Sequence, residues 1–339
     1  MMELLKRNIE SRSYTLKTLT LCVLCMCGLI ANAQDFHFTQ FAANKLYLSP
    51  SFAGATAQNR FIAGYRNQWP AVNGYTSYVA SFDHYFSRFN SGIGFLVMRD
   101  VAGDGQMGIT NFALSYSYDL ALTPEVHVRP GLSFSYRQGS VDFSKLVFSS
   151  QISSSGISAP TTEGLGGKDQ GGAPDAAVST IAYARDWWLG ATVDHLMRPN
   201  LSFVGNKDAL PLKTAIFGGL TIIRKGRLLK PVDETLSVAF LFQQMQRNMQ
   251  TDIGLYWAKI PLTFGLWYRG IPWVNTKGAG DMFALLLGLK MAHLGIAYSY
   301  DFTVSGLVNR VAGAHEVTLS YEFSRAHKKK LTAVPCPEF

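Results

Sequence analysis

Asn111-Phe-Ala-Leu-Ser-Tyr-Ser-Tyr-Asp-Leu120 holds two interleaved patterns. Phe112, Leu114, Tyr116, Tyr118 and Leu120 fall on one face; Asn111, Ala113, Ser115, Ser117 and Asp119 fall on the other. A period of two is the signature of a β-strand with one greasy and one polar side. The same reading holds over Pro130–Arg137, Leu294–Phe302 and Glu316–Phe323. A water-soluble sandwich also alternates, but its outer face carries more Lys and Glu. Here the polar face is mostly Gly, Ser and Ala with an occasional charge. That combination fits a barrel whose outside meets lipid and whose inside is polar.

Composition agrees. The 339 residues are 47% hydrophobic, 13% aromatic and only 16% charged, against about 25% charged in ordinary soluble domains. Disorder over most of the length is excluded, since it needs few aromatics and high charge. Beyond the N-terminal segment the most apolar run is Met282–Leu289, and Lys290 ends it. A spanning helix needs about 20 apolar residues, so a helical bundle is excluded.

The first 33 residues have the layout of a secretory signal. Lys6, Arg7, Arg12 and Lys17 precede an apolar run from Leu19 to Ala31, and Ala31-Asn32-Ala33 is a small-x-small exit. Cleavage between Ala33 and Gln34 is the expectation. It removes Cys22, Cys25 and Cys27 and leaves Cys336 alone, so no intrachain disulfide and no multi-cysteine metal site is expected. It also removes four basic and two acidic residues, which leaves a net charge of about +6 from the full chain's +8.

Fourteen strands are expected. They begin near Asn59, Gly74, Asn90, Gln106, Glu125, Pro174, Trp187, Pro211, Asp233, Met249, Pro261, Gly280, His293 and Ala314. The count is even, as single-chain bacterial barrels require. With both termini periplasmic, even-numbered connections should be short turns and odd ones longer loops. Ser87–Phe89, Thr123-Pro124, Arg185-Asp186, Ile260-Pro261 and Ala292 are short; Arg224–Val232 is the long exception. Asp100–Gly105, Gly139–Ala173, Met197–Leu210, Gly270–Ala279 and Val304–Gly313 are the long odd connections, while those near Pro70 and Arg247 are tight. Trp69, Trp187, Trp188 and Trp257 fall at or near strand ends, where an interfacial aromatic girdle belongs. Trp273 falls in a loop and Trp267 nearer mid-strand.

Three parts fall outside the barrel at residues 59–324. Residues 34–58 are an N-terminal segment, periplasmic or lumenal, with Phe36, Phe38, Phe41 and Tyr47. Residues 139–173 are a long insertion with a low-complexity second half. Residues 325–339 are a basic periplasmic tail.

Certain blocks carry a family resemblance. The stretches "QDFHFTQF" (34–41) and "LYLSPSFAG" (46–54) resemble the opening of the PorP/SprF family of Bacteroidota outer-membrane proteins. "YSYDFTVSGL" (298–307), "AHEVTLSYEF" (314–323) and the ending "CPEF" (336–339) are similar to that family's C-terminal signature. Ser49-Pro50 stands where a common family opening has Asn-Pro. The resemblance implies a barrel tied to the type IX secretion system, either in its core export and gliding machinery or paired with one large surface adhesin. The implied partners are a secreted adhesin or its C-terminal signal domain, other secretion components, and outer-membrane lipid.

Site chemistry points away from catalysis. Adjacent strand residues face opposite ways, so neither Asp83-His84 nor Asp194-His195 forms a dyad with its own neighbour. No His-x-x-x-His or Cys/His cluster suggests a metal, no nucleophile motif suggests an enzyme, and no cofactor motif is present. Nucleic acid is not an expected partner of an exported chain. The glycines of "DVAGDGQM" and "GAGDMF" lack a phosphate-loop partner, and Asp100 and Asp104 lack EF-hand spacing.

Arg66, Arg137, Arg269, Asp119, Asp301 and Glu322 fall on predicted inward faces. Charge inside a barrel must be hydrated or paired. The expectation is a network plugging the lumen; the alternative is a selectivity ring in a diffusion porin or small-solute transporter. Lys328, Lys329, Lys330, Cys336 and Phe339 are candidate contacts to a periplasmic partner, the lysines through charge.

Overall fold

The computed structural model describes residues 35–56, 58–103, 106–148, 151–153, 156–157, 170–202, 209–226, 232–270, 282–304, 313–323 and 333–336. Residues 1–36 and residues 37–339 are separate units, and the barrel belongs entirely to the second.

Fourteen long strands form the wall. In chain order they are β1 (Asn59–Gln68), β2 (Tyr75–Phe86), β3 (Ser91–Ala102), β4 (Met107–Tyr118), β5 (His127–Ser140), β6 (Gln170–Tyr183) and β7 (Trp187–Asp194). Then come β8 (Lys213–Gly226), β9 (Val232–Met245), β10 (Asn248–Lys259), β11 (Leu262–Arg269), β12 (Met282–Met291), β13 (Leu294–Thr303) and β14 (Ala314–Phe323). Each pairs antiparallel with its sequence neighbours. The last pairs with the first in an unbroken register from Asn59↔Phe323 to Gln68↔Ala314. Closure leaves no wall edge, which is the condition for a sheet to sit in lipid. Every predicted strand start lies within four residues of the observed one.

The alternation sorts side chains as expected. Phe112, Leu114, Tyr116 and Tyr118 are 41–60% exposed on the outside, while Ser115 and Ser117 are buried within. Phe95, Phe134, Ile216, Leu266, Leu285 and Leu319 continue the outer band. Trp187 and Trp257 lie on this outer face. Trp188, expected in the girdle, instead turns inward and is buried, as is Trp267. Successive strand residues point to opposite faces, so the Trp187-Trp188 pair can supply the girdle with only one member.

The two mouths differ. One carries the short turns 87–90, 184–186, 260–261 and 292–293, together with the start of β1 and the end of β14. The other carries the connections 141–169, 195–212, 270–281 and 304–313. At the expected long loop Arg224–Val232, residues 224–226 and 232 are strand, and 227–231 lie outside the described residues. Arg224 pairs in register with Thr235 and Lys225 with Glu234, so β8 and β9 run on past the Trp187↔Leu220 pair. The Arg224–Asp186 contact at 3.0 Å ties that overhang to the neighbouring turn.

Fourteen strands enclose more space than wall side chains can fill; eight is the number at which they just suffice. Residues 37–56 fill the difference. Phe38, Phe41, Leu46, Leu48, Phe52, Ala53 and Ala55 are all buried, among inward residues of the wall. The segment contains one helical turn, α1 (Lys45–Leu48), and a 3-10 turn at Pro50–Phe52 whose N-cap Ser49 accepts from the Ser51 amide. It forms no strand and adds nothing to the wall's ladders.

Candidate functional site: the occupied lumen

Near the long-connection mouth the wall supplies two arginines and three carboxylates. Arg66 lies near the end of β1, Arg269 ends β11, Asp252 is in β10, Asp301 near the end of β13 and Glu316 near the start of β14. Arg66 reaches Asp301 at 2.8 Å and Glu316 at 3.0 Å. Arg269 reaches Asp301 at 3.4 Å and Asp252 at 3.6 Å. All five are buried. Buried ions are tolerated only when paired and hydrogen-bonded.

The N-terminal segment completes the pairing. The backbone amides of Thr39 and Gln40 donate to the two Glu316 oxygens at 2.7 and 3.1 Å. The Thr39 hydroxyl donates to Asp301 at 2.7 Å. Gln40 Nε2 donates to Ser299 Oγ and to the Glu316 carbonyl. Arg269 donates to the carbonyl of Phe38 at 2.9 Å, and His37 lies 3.5 Å from Asp252. Charge-assisted bonds of this kind are about twice as strong as neutral ones.

Below this clamp the packing is aromatic. Phe41 meets Trp267 edge-on at 5.0 Å, and Phe52 sits 6.0 Å from Trp188 and 5.8 Å from Phe217. The Lys213 ammonium lies over the Tyr47 ring. Glycine makes room: a methyl at Gly131 would strike the Ser51 backbone, and one at Gly92 the carbonyl of Ala53.

At the short-turn mouth the segment ends in an elbow. Gly54, at φ +66°, donates to Asp83, which pairs with Arg60 at 3.2 Å. Arg129 donates to the Gly54 carbonyl at 3.3 Å, and Ser117 to the Ala53 carbonyl at 2.8 Å. The C-terminal stretch arrives here too. Val334 donates its amide to the Ala55 carbonyl, and Val334 and Cys336 are buried in the same apolar cluster as Ala55 and Tyr256.

Of the six charges singled out in the sequence, the structure brings Arg66, Arg269 and Asp301 together. Arg137 stands in a separate buried group with Asp175 and His195. Asp119 lies at the short-turn end, 3.1 Å from His127 and accepting from the Tyr183 hydroxyl. Glu322 pairs with Lys290 at 3.4 Å near the same rim. Each histidine meets a residue other than its neighbouring aspartate: His84, in β2, meets Asn59, and His195, just past the end of β7, meets Asp175. Ala33, Gln34, Lys328, Lys329, Lys330 and Phe339 lie outside the described residues.

Sequence reasoning missed Glu316, Asp252, Thr39 and Gln40. Glu316 shares the polar face of β14 with Glu322, six residues on, and that was the available signal. Asp252 likewise lies on the inner face of β10, opposite the outward Ile253, Leu255 and Trp257, whereas the Thr39-Gln40 pair carries no periodic signal. Among the described residues no group of three or more His, Cys, Asp and Glu is arranged to hold a metal ion.

A closed antiparallel barrel, apolar outside and polar within, is an integral outer-membrane β-barrel protein. The chain belongs to the PorP/SprF family, the type IX secretion system membrane proteins, whose profile matches residues 30–321. No curated protein matches the chain. Among solved structures, the outer membrane protein Omp33 of Acinetobacter baumannii is 7% identical, with a TM-score of 0.46 over 78% of this chain and 98% of that one. The toluene transporter TodX of P. putida is 9% identical, with a TM-score of 0.47 over 82% and 93%. The KdgM porin is 8% identical, with a TM-score of 0.38 over 78% and 99%.

Proposed function

We propose that this barrel works without catalysis in type IX secretion, supporting export or surface attachment of secreted proteins such as large adhesins, with a link to gliding motility. The long connections face outward, toward the adhesin or its C-terminal signal domain. The short-turn mouth, with the basic tail at residues 325–339, faces the periplasmic machinery. The lumen charges hold the barrel shut.

The observation that supports this reading over a porin is the filled lumen. A diffusion pore needs a continuous water path; here residues 37–56 occupy the bore from the clamp at Glu316 to the elbow at Gly54. The test is an in-frame deletion with comparative proteomics of culture fluid and shaved cell surface. Loss of one large adhesin assigns a dedicated cargo partner, and loss of all type IX cargo a core component. No change in either fraction, together with sugar uptake by liposomes carrying the purified protein, would restore the porin.

A further inference from the structure

We propose that the lumen is a polypeptide-binding site held in cis by residues 37–56, and that this segment is a displaceable plug whose withdrawal opens a water-filled passage. The proposal rests on the reading of the lumen as closed.

The seat recognises polypeptide chemistry. The Glu316 carboxylate takes two consecutive backbone amides, Arg269 takes a backbone carbonyl, and Asp301 takes a hydroxyl. Two of these three wall residues read main chain, which any polypeptide offers; the two amides converge on one carboxylate because the chain turns at Gln40, whose carbonyl accepts from the amides of Ala43 and Asn44.

Three features separate a displaceable plug from a permanent core. The wall is complete without it, since all fourteen ladders close strand to strand and no wall hydrogen bond of the barrel depends on the segment. The segment joins the wall at one end only, where it leads into β1. Its fit is imperfect on the polar side: Gln40 Oε1, Asn44 Oδ1 and Thr318 Oγ1 are buried with no hydrogen-bond partner. Unmet buried polar atoms favour exchange for water. Withdrawal would uncover a mixed surface: Asn111, Ser115, Ser133, Thr192 and Ser237 face the interior and suit water, while Trp188, Phe217 and Trp267 lose the rings that cover them, a cost that holds the plug in place at rest.

The test is single-channel recording on the purified full chain in planar bilayers, with wild type, a clamp variant and a cross-linkable variant. Wild type is expected to stay closed except for rare, brief openings under applied voltage. Thr39→Val with Gln40→Leu, which loosens the clamp, is expected to open at least tenfold more often, and a synthetic peptide of residues 37–56 to close it again. Ser51→Cys with Ser179→Cys places a cross-link where the two hydroxyls lie 2.6 Å apart; oxidation should abolish openings and reduction restore them. Steady porin-like conductance in wild type would sink the closed-lumen reading itself. A silent clamp variant that still shows heat-modifiable gel mobility, or openings that persist when the plug is cross-linked, would overturn only the displaceable plug. Should the clamp variant fail to fold, the cross-linkable pair alone decides. Voltage-driven openings confined to the reduced form support the plug, and openings in both forms or in neither reject it.

Discussion

Glu316 is the residue on which the interior turns. Its carboxylate pairs with Arg66 and accepts the amides of Thr39 and Gln40, all out of contact with water. Replacing it with Ala would leave two amides without their acceptor and take from Arg66 one of its two carboxylates, with Asp301 remaining; breaking a buried pair from one side costs up to about 3–5 kcal/mol. Glu316→Ala is therefore expected to lower the temperature at which the barrel loses its compact gel mobility. Glu316→Gln keeps an acceptor oxygen and should fall between the two. Equal melting of all three would mean that the clamp contributes nothing to stability. Cys336 gives a second check at this scale. Buried beside the elbow, it should resist a maleimide reagent in the folded protein and react once the chain is denatured. Rapid labelling of the native barrel would mean that the C-terminal stretch is not seated in the mouth.

Among elements, the wall and the plug contrast in how far the sequence reveals them. Strands write themselves as alternation because each meets lipid on one side and polar space on the other, so Leu114 and Ser115 can be sorted by position alone. The plug has no such rule. Phe41 and Phe52 are buried by tertiary fit against Trp267, Trp188 and Phe217, and the irregular backbone between them leaves no period to detect. Likewise Arg66, Arg269 and Asp301 can be placed on the inner face from their parity, but parity does not say which side chains meet across the bore. For that reason parity puts Arg137, Asp119 and Glu322 on the same inner face although none of them joins the cluster. The plug's fit predicts two outcomes. Gly131→Val should unseat Ser51 and raise protease sensitivity within residues 37–56 of the purified protein, whereas the outward Phe134→Leu should not. Phe52→Ala removes a fully buried ring and is expected to destabilise by about 3–5 kcal/mol, read by denaturant midpoint.

For the whole molecule, the expectation of a barrel with the wall's two ends at one mouth gives a topology that cells can report. An epitope inserted within 141–169 should be reached by antibody on intact cells, and one placed after Phe323 only after permeabilisation. The reverse result would invert the barrel and with it the assignment of partners to mouths. The barrel architecture was legible because one physical constraint, full backbone satisfaction in lipid, dictates strand length, parity and closure together. The occupied lumen was not, because many interiors suit one wall.

Arg66 and Glu316 are more than members of a cluster: they stand directly opposite each other in the ladder that joins the first strand to the last. Glu316 reaches its partners only when the end of the chain has arrived and the sheet has rolled shut. The grip on Thr39 and Gln40 is therefore a report of completed assembly, given by the last strand to the first residues of the segment. An unfinished sheet, lacking that final strand, would have no carboxylate to hold the amides of Thr39 and Gln40, and the start of the segment would remain within reach of the chaperones and proteases that clear failed intermediates.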